Sequence, residues 1–116
     1  MTPDARAFAA DWAAGWNSHD LDRILSHYRE DVVFTSRKAE ALVGRGRLEG
    51  RDALRDYWSQ ALEAQPDLAF EVLDVFEGFD TLVITYRNHK GRLAAETLQF
   101  DSDGRVLAAS ACHREG

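Results

Sequence analysis

Four β-rich runs separated by very short gaps fill the second half of this chain, and they constrain its fold more than any other feature. The runs are 68–77, 81–89, 92–101 and 105–113. Between them stand only Gly78-Phe79-Asp80, Lys90-Gly91 and Ser102-Asp103-Gly104, all turn-forming sequences. Strands joined this tightly must be antiparallel neighbours, because a parallel pair needs a crossover of a dozen residues or more. The result is a meander with one apolar face that has to be covered.

The first half supplies the cover. Thr2-Pro3-Asp4 reads as a helix start, with a capping hydroxyl, a proline in the first turn and an acid near the positive end of the dipole. Phe8, Trp12 and Trp16 then recur at four-residue spacing, widened by Ala5, Ala9 and Ala13 into an aromatic helical stripe. Asn17-Ser18-His19-Asp20 breaks this helix. Asp20 opens a second, shorter one carrying Leu21, Ile24, Leu25 and Tyr28, ended by Arg29-Glu30-Asp31. Val32 to Thr35 is a short strand. Residues 37–50, with Gly44, Gly46 and Gly50, read as an irregular loop. A third helix spans Arg51 to Ala64, its apolar face formed by Leu54, Tyr57, Trp58, Ala61 and Leu62, and Pro66 forbids its continuation.

The expected architecture is α+β. Three helices pack on a strongly curved, mixed or antiparallel sheet of five or six strands, giving a cone-shaped barrel that encloses a pocket, in a single domain over residues 1–116. The length suits one domain with a core of its own. No apolar run approaches the ~20 residues of a membrane span, and Met1-Thr2-Pro3-Asp4 lacks the basic start of a signal peptide. Cys112 is the single cysteine, which excludes an intrachain disulfide and fits a reducing cytoplasm. A net charge of -6 speaks against a general nucleic-acid binder. Against that trend, Arg37, Lys38, Arg45, Arg47 and Arg51 crowd one segment, offset there only by Glu40 and Glu49. They read either as a solvated loop or as a site that attracts a carboxylate or phosphate.

Two stretches, Trp12-Ala-Ala-Gly-Trp16-Asn17-Ser-His-Asp20-Leu21-Asp22 and Tyr28-Arg-Glu-Asp31-Val-Val-Phe34, precede Gly46, Gly50, Leu54 and Tyr57-Trp58. With Phe100-Asp-Ser-Asp-Gly104-Arg-Val106 at the end, the pattern resembles the SnoaL-like branch of the nuclear transport factor 2-like superfamily across almost the whole chain. The resemblance implies a cone-shaped fold with a pocket between helices and sheet, and commonly a homodimer packed through outer sheet faces. It leaves function open, since the superfamily contains isomerases, polyketide cyclases, dehydratases and carriers.

In the steroid isomerases of that superfamily, a helix tyrosine and a late-strand acid polarise a carbonyl while an aspartate moves the proton. Carried over by motif, the tyrosine falls on Trp12, the aspartate on Ser36 and the acid on Glu96. An indole donates one hydrogen bond but cannot act as an acid, and a lone serine is no general base. Only the acid is retained, so steroid-isomerase chemistry is not expected.

Glu96 shares its strand face with Ala94, Leu98 and Phe100, an apolar face and hence the inner one. It is either a desolvated pocket acid or a strand-end residue paired with an arginine. His113 shares a face with Leu107, Ala109 and Ala111. It is either a partner base for Glu96 at the pocket mouth or a solvent-facing residue on a fraying end. Trp12, Trp16, Tyr28, Trp58 and Tyr86 are either plain core or, through their polar handles, the walls of a site for a flat, partly polar ligand. Asn88 follows Tyr86 on the same face, as a polar contact or as a turn residue.

Neither a metal nor a cofactor is expected. His19, His27, His89 and His113 lack ligand spacing, Asp101-Ser102-Asp103-Gly104 lacks the distal glutamate of a calcium loop, and no phosphate-binding glycine loop is present. The expected partner is a small hydrophobic or aromatic molecule, with no nucleic acid and no membrane. Two functions stand: an isomerase, cyclase or hydratase using Glu96, with or without His113, and a non-catalytic carrier or dimerisation module with a vestigial pocket.

Overall fold

The computed structural model describes residues 4–114 and consists of four helices on one six-stranded mixed sheet. The helices are α1 (Ala5–Ser18), α2 (Leu21–Leu25), α3 (Arg37–Val43) and α4 (Arg51–Ala64). The strands are β1 (Tyr28–Ser36), β2 (Arg47–Glu49), β3 (Phe70–Gly78), β4 (Thr81–Asn88), β5 (Leu93–Phe100) and β6 (Val106–His113). Their order across the sheet is β2-β1-β6-β5-β4-β3. β3 to β6 form the antiparallel meander expected from their turns, and β1 joins β6 in parallel. The sheet is open, with β2 and β3 as free edges, so it curves around the helices without closing into a barrel.

The inner face of the sheet presents Phe34, Leu82, Ile84, Leu98, Phe100 and Val106, all buried, to the aromatic stripes of α1 and α4. Each such side chain withdrawn from water contributes about 1.5–3 kcal/mol. Rings meet edge to face within the helical layer, where Trp16 and Trp58 lie 4.9 Å apart, and between helices and sheet, where Tyr28 and Trp58 lie 5.2 Å and Trp12 and Tyr86 5.1 Å apart.

Four sequence expectations need correction. Thr2 and Pro3 lie outside the described residues, and α1 begins at Ala5 with Asp4 as its cap, the Asp4 carboxylate accepting from the Ala7 N–H at 2.8 Å. Tyr28 belongs to β1 and not to α2. It pairs in parallel with Val106 and is fully buried, and strand pairing outweighs a helical spacing that α2, only five residues long, cannot continue. Residues 37–50 are not a loop: Ser36 caps α3, Gly44 ends it in a left-handed conformation (φ 82°), and β2 pairs with β1 through Leu48 and Phe34. The helices thus number four. Finally, a bulge where β6 meets β5 makes Leu107 an extra residue, so that buried Val106 pairs with Phe100, and Leu107 leaves the Ala109 face.

The Asn17-Ser18-His19-Asp20 corner fastens the helical layer to the sheet. Asn17 mimics a β-ladder partner: its side-chain amide donates to the Phe70 carbonyl at 3.1 Å, and its carbonyl accepts the Phe70 N–H at 2.7 Å. His19, held at φ 61°, places its Nε2 2.7 Å from the Leu68 carbonyl. These bonds pin the start of edge strand β3, whose entry segment no other helix supports in this way. Asn17→Ala is expected to lower stability by about 1–2 kcal/mol, two neutral hydrogen bonds' worth. Its far-ultraviolet circular dichroism should stay native, with the loss read from a urea transition.

Candidate functional site

Glu96 stands in the middle of β5, with Ile84 of β4 and Ala111 of β6 as its cross-strand neighbours. It is 4 % exposed, the one buried carboxyl among the described residues. The small side chains around it on the inner face, Ala94, Ala109 and Ala111, leave the sheet thin at this point. The space beside them is a small cavity of about 70 Å³. It lies between the sheet and α4, bounded by Phe34, Tyr57, Trp58, Phe70, Tyr86 and Glu96.

Close to the carboxyl sit Tyr28 and Trp12. Burial pushes the Glu96 pKa up to about 7, while the Tyr28 hydroxyl and the Trp12 indole N–H, both directed at the carboxyl, pull it partly back. Burial, helped by the negative field of Glu96, drives the Tyr28 phenol well above its ordinary value. Trp12 Nε1, Tyr28 OH and Glu96 Oε2 are all buried, and none has a partner in good hydrogen-bond geometry. Three polar groups thus converge on one point in the core, the two donors turned toward the acid.

The sequence-derived residues divide around this centre. Glu96, Trp16, Ser36, Trp58, Tyr86, Asn88 and His113 all border the cavity. Trp12 and Tyr28 are not among its walls and act on Glu96 through their polar ends. Ser36 caps α3, its hydroxyl accepting from the Lys38 and Ala39 N–H groups at 3.1 and 3.4 Å. The Asn88 side-chain carbonyl closes the turn between β4 and β5, accepting from Lys90 at 2.9 Å and Arg92 at 3.0 Å. His113 pairs with Ala94, one inward position along β6 from the Ala111 opposite Glu96. Cys112 faces outward and is exposed.

The basic segment does not act as one unit. Arg47 pairs with Glu49 at 3.3 Å, and Arg51 donates to the Tyr28 carbonyl at 3.3 Å. Only Arg37 and Lys38 reach the open end of the sheet. There a cleft of about 670 Å³ adjoins the cavity, the two sharing Ser36, Lys38, Ala111 and His113 as walls.

Sequence reasoning passed over Tyr57 as core. It is buried on the α4 face toward the cavity; burial raises its phenol pKa, and a hydrogen bond with Ser36 opposes that shift. The i, i+1 pair Tyr57-Trp58 at the edge of the helical stripe was the available signal.

A carboxyl titrating near neutrality can donate or accept a proton at physiological pH, the requirement for general acid–base catalysis. It also links stability to pH. The folded-state pKa is raised above the usual 4.5, so the folded chain holds its proton more tightly between pH 4.5 and 7. This contribution to stability is complete below pH 4.5 and is lost as pH rises through about 7, on the order of 3 kcal/mol in all. Glu96→Gln removes the charge that has to be buried. The variant is expected to be the more stable protein at pH 8 by that order and to match wild type near pH 4.5, as measured by urea denaturation across the range.

The chain matches the family model of the SnoaL-like domain over residues 9–113. Among solved structures it is similar to a SnoaL-like protein of unknown function from Burkholderia thailandensis, with 41% sequence identity, 96% of this chain and 95% of that chain covered, and a TM-score of 0.90. The fold alone is shared with TerC, co-crystallised with polyporic acid, at 15% identity, 93% and 90% coverage and a TM-score of 0.77. It is also shared with SalBIII, an epoxide hydrolase/cyclase-like enzyme of pyran ring formation in salinomycin, at 16% identity, 94% and 89% coverage and a TM-score of 0.73. No curated protein matches the chain. By the family model and by its nearly full-length likeness to the Burkholderia protein, this chain belongs to the SnoaL-like domain family.

Proposed function

We propose that this protein binds a small, mainly apolar organic molecule at the Glu96 cavity and that Glu96 moves a proton on it, in an isomerase- or cyclase-type reaction without a cofactor. The observation that carries this reading is a desolvated carboxyl with a pKa of about 7 bordering a cavity, backed by two donors with no other well-aligned partner. The description of SalBIII as epoxide hydrolase/cyclase-like is in keeping with it. In the simplest step the Glu96 carboxylate takes a proton from a carbon next to a carbonyl. The resulting acid returns that proton to another atom of the substrate, so the formula is unchanged and no co-reactant is consumed. His113, at the shared wall of cavity and cleft, is the candidate second base.

A non-catalytic protein is the second reading, either a carrier or a dimerisation module with a vestigial pocket, and the vestigial pocket is favoured by the cavity's volume of about 70 Å³. That admits a few waters, whereas ligand sites commonly occupy about 300–1,000 Å³. Catalysis on a larger molecule therefore needs the walls to part toward the cleft.

We also propose a homodimer through the outer sheet face. Val83, Thr85, Ala95, Thr97, Ala108 and Ser110 form an uncharged, small-residue surface there, half-buried within the single chain. Light scattering is expected to give twice the 13.1 kDa chain mass, and Thr97→Arg to give the monomer. A monomeric wild type contradicts the dimer.

Deuterium uptake from D₂O into cyclic ketones, both 1-tetralone and its carboxylated analogues, followed by mass spectrometry, tests the chemistry. The enzyme reading expects uptake above the buffer rate, reduced at least ~100-fold in Glu96→Gln. Binding of these ketones without uptake, equal in both forms, identifies a carrier. Neither binding nor uptake contradicts the enzyme and the carrier and leaves the dimerisation module.

A further inference from the structure

The cleft at the open end of the sheet has a charge opposite to that of the chain. It is bounded by the ends of β1 and β6, by α3 and by the turn that leads into β5. Among its described lining residues Arg37, Lys38, Arg92 and Arg114 carry fixed positive charge, His113 is titratable, and Glu40 is the single acid. The whole chain carries a net charge of -6. These cations come from three separate parts of the sequence, so no local composition bias assembles them. Backbone pairing does: the Arg114 N–H donates to the Leu93 carbonyl at 3.0 Å, which sets Arg114 beside Arg92, and the Ser36 cap holds Lys38 across the cleft.

Cations gathered in a concave site repel one another and focus a positive potential, and an anion in their midst relieves both. Arginine also offers paired donors that match a carboxylate or phosphate. Arg37, Lys38 and His113 have further contacts within the protein, so the inference does not depend on their being free; Arg92 and Arg114 are the handles for testing it. The cleft shares Ser36, Lys38, Ala111 and His113 with the inner cavity. Once the cavity walls part toward the cleft, one molecule can span both, its apolar body passing Ala111 toward Glu96 and its charged group remaining at the rim.

We infer that the basic cleft binds the oxyanion group, a carboxylate or a phosphate, of a small organic ligand whose apolar body enters the Glu96 cavity. The second half of this statement rests on the reading of the cavity as a ligand site. It narrows the substrate class to organic acids or phosphate monoesters, and it excludes their neutral esters and amides as good ligands.

Amide-resolved NMR titration of the full chain with benzoate, phenyl phosphate and neutral benzamide tests it, because such spectra register millimolar binding. The oxyanion probes are expected to give saturable shifts at residues 36–38 and 111–114 and at the indole N–H groups of Trp16 and Trp58. The tighter of benzoate and phenyl phosphate names the group. Arg92→Gln and Arg114→Gln are each expected to weaken the better probe about tenfold while leaving benzamide unaffected. Equal binding of benzamide and benzoate, or less than a twofold change in the arginine variants, overturns the anion site. Rim shifts without indole shifts support the anion site and contradict the cavity reading, and indole shifts by benzamide alone do the reverse.

Discussion

A carboxyl group fixed in mid-strand on the inner face of a sheet, with Ile84 and Ala111 as its cross-strand partners, is the constraint around which this structure is arranged. Its burial opposes stability at neutral pH, where the anion has to be held in an apolar setting. The surrounding residues make that tolerable. Tyr28 and Trp12 direct their polar ends at it, and the aromatic seam of Trp16, Trp58, Phe70 and Tyr86 supplies the apolar burial that carries the cost. An apolar residue at position 96 would stabilise this core more simply. That the chain retains an acid there, beside a cavity, is what ties its stability to its proposed chemistry.

The folding of the chain brings two different spaces to that point. Alanines at 94, 109 and 111 thin the inner layer and open the cavity, while the parallel pairing of β1 with β6 ends both strands at the same edge and opens the cleft. The Asn17 bonds to Phe70 of β3 and the His19 bond to Leu68 just before it hold the helical layer against the far edge of the sheet. The cleft opens at the end where α3 and the β6 terminus meet. Position relative to these two spaces separates Glu96, facing the apolar one, from Arg92 and Arg114 at the charged one.

Much of this was legible in the sequence, for reasons that differ by element. The meander was readable because period-two alternation and turn chemistry agree along 68–113, and α4 because five apolar positions fall on one helical face. Glu96 could be placed inward from its neighbours Leu98 and Phe100 alone. Helix α3 was hidden by its flanking glycines, although Lys38 to Leu42 are good helix formers. Tyr28 kept helical spacing with Ile24 yet pairs as a strand, since tertiary pairing decides such short segments. The bulge at Leu107 shifts the face of Val106, which no strict alternation predicts. The convergence of Trp12 and Tyr28 on Glu96 joins three distant segments and has no local signature. Nor has the gathering of Arg92 and Arg114 with Lys38.

The direct test of this account is the titration of the Glu96 carboxyl itself, followed by side-chain carboxyl ¹³C NMR and assigned by its absence in Glu96→Gln. A midpoint near 7, set apart from the other glutamates, is the predicted result. A midpoint at the ordinary 4.5 would mean that water or an unrecognised cation solvates the carboxylate in the folded protein, and it would contradict both the buried acid and the chemistry proposed for it.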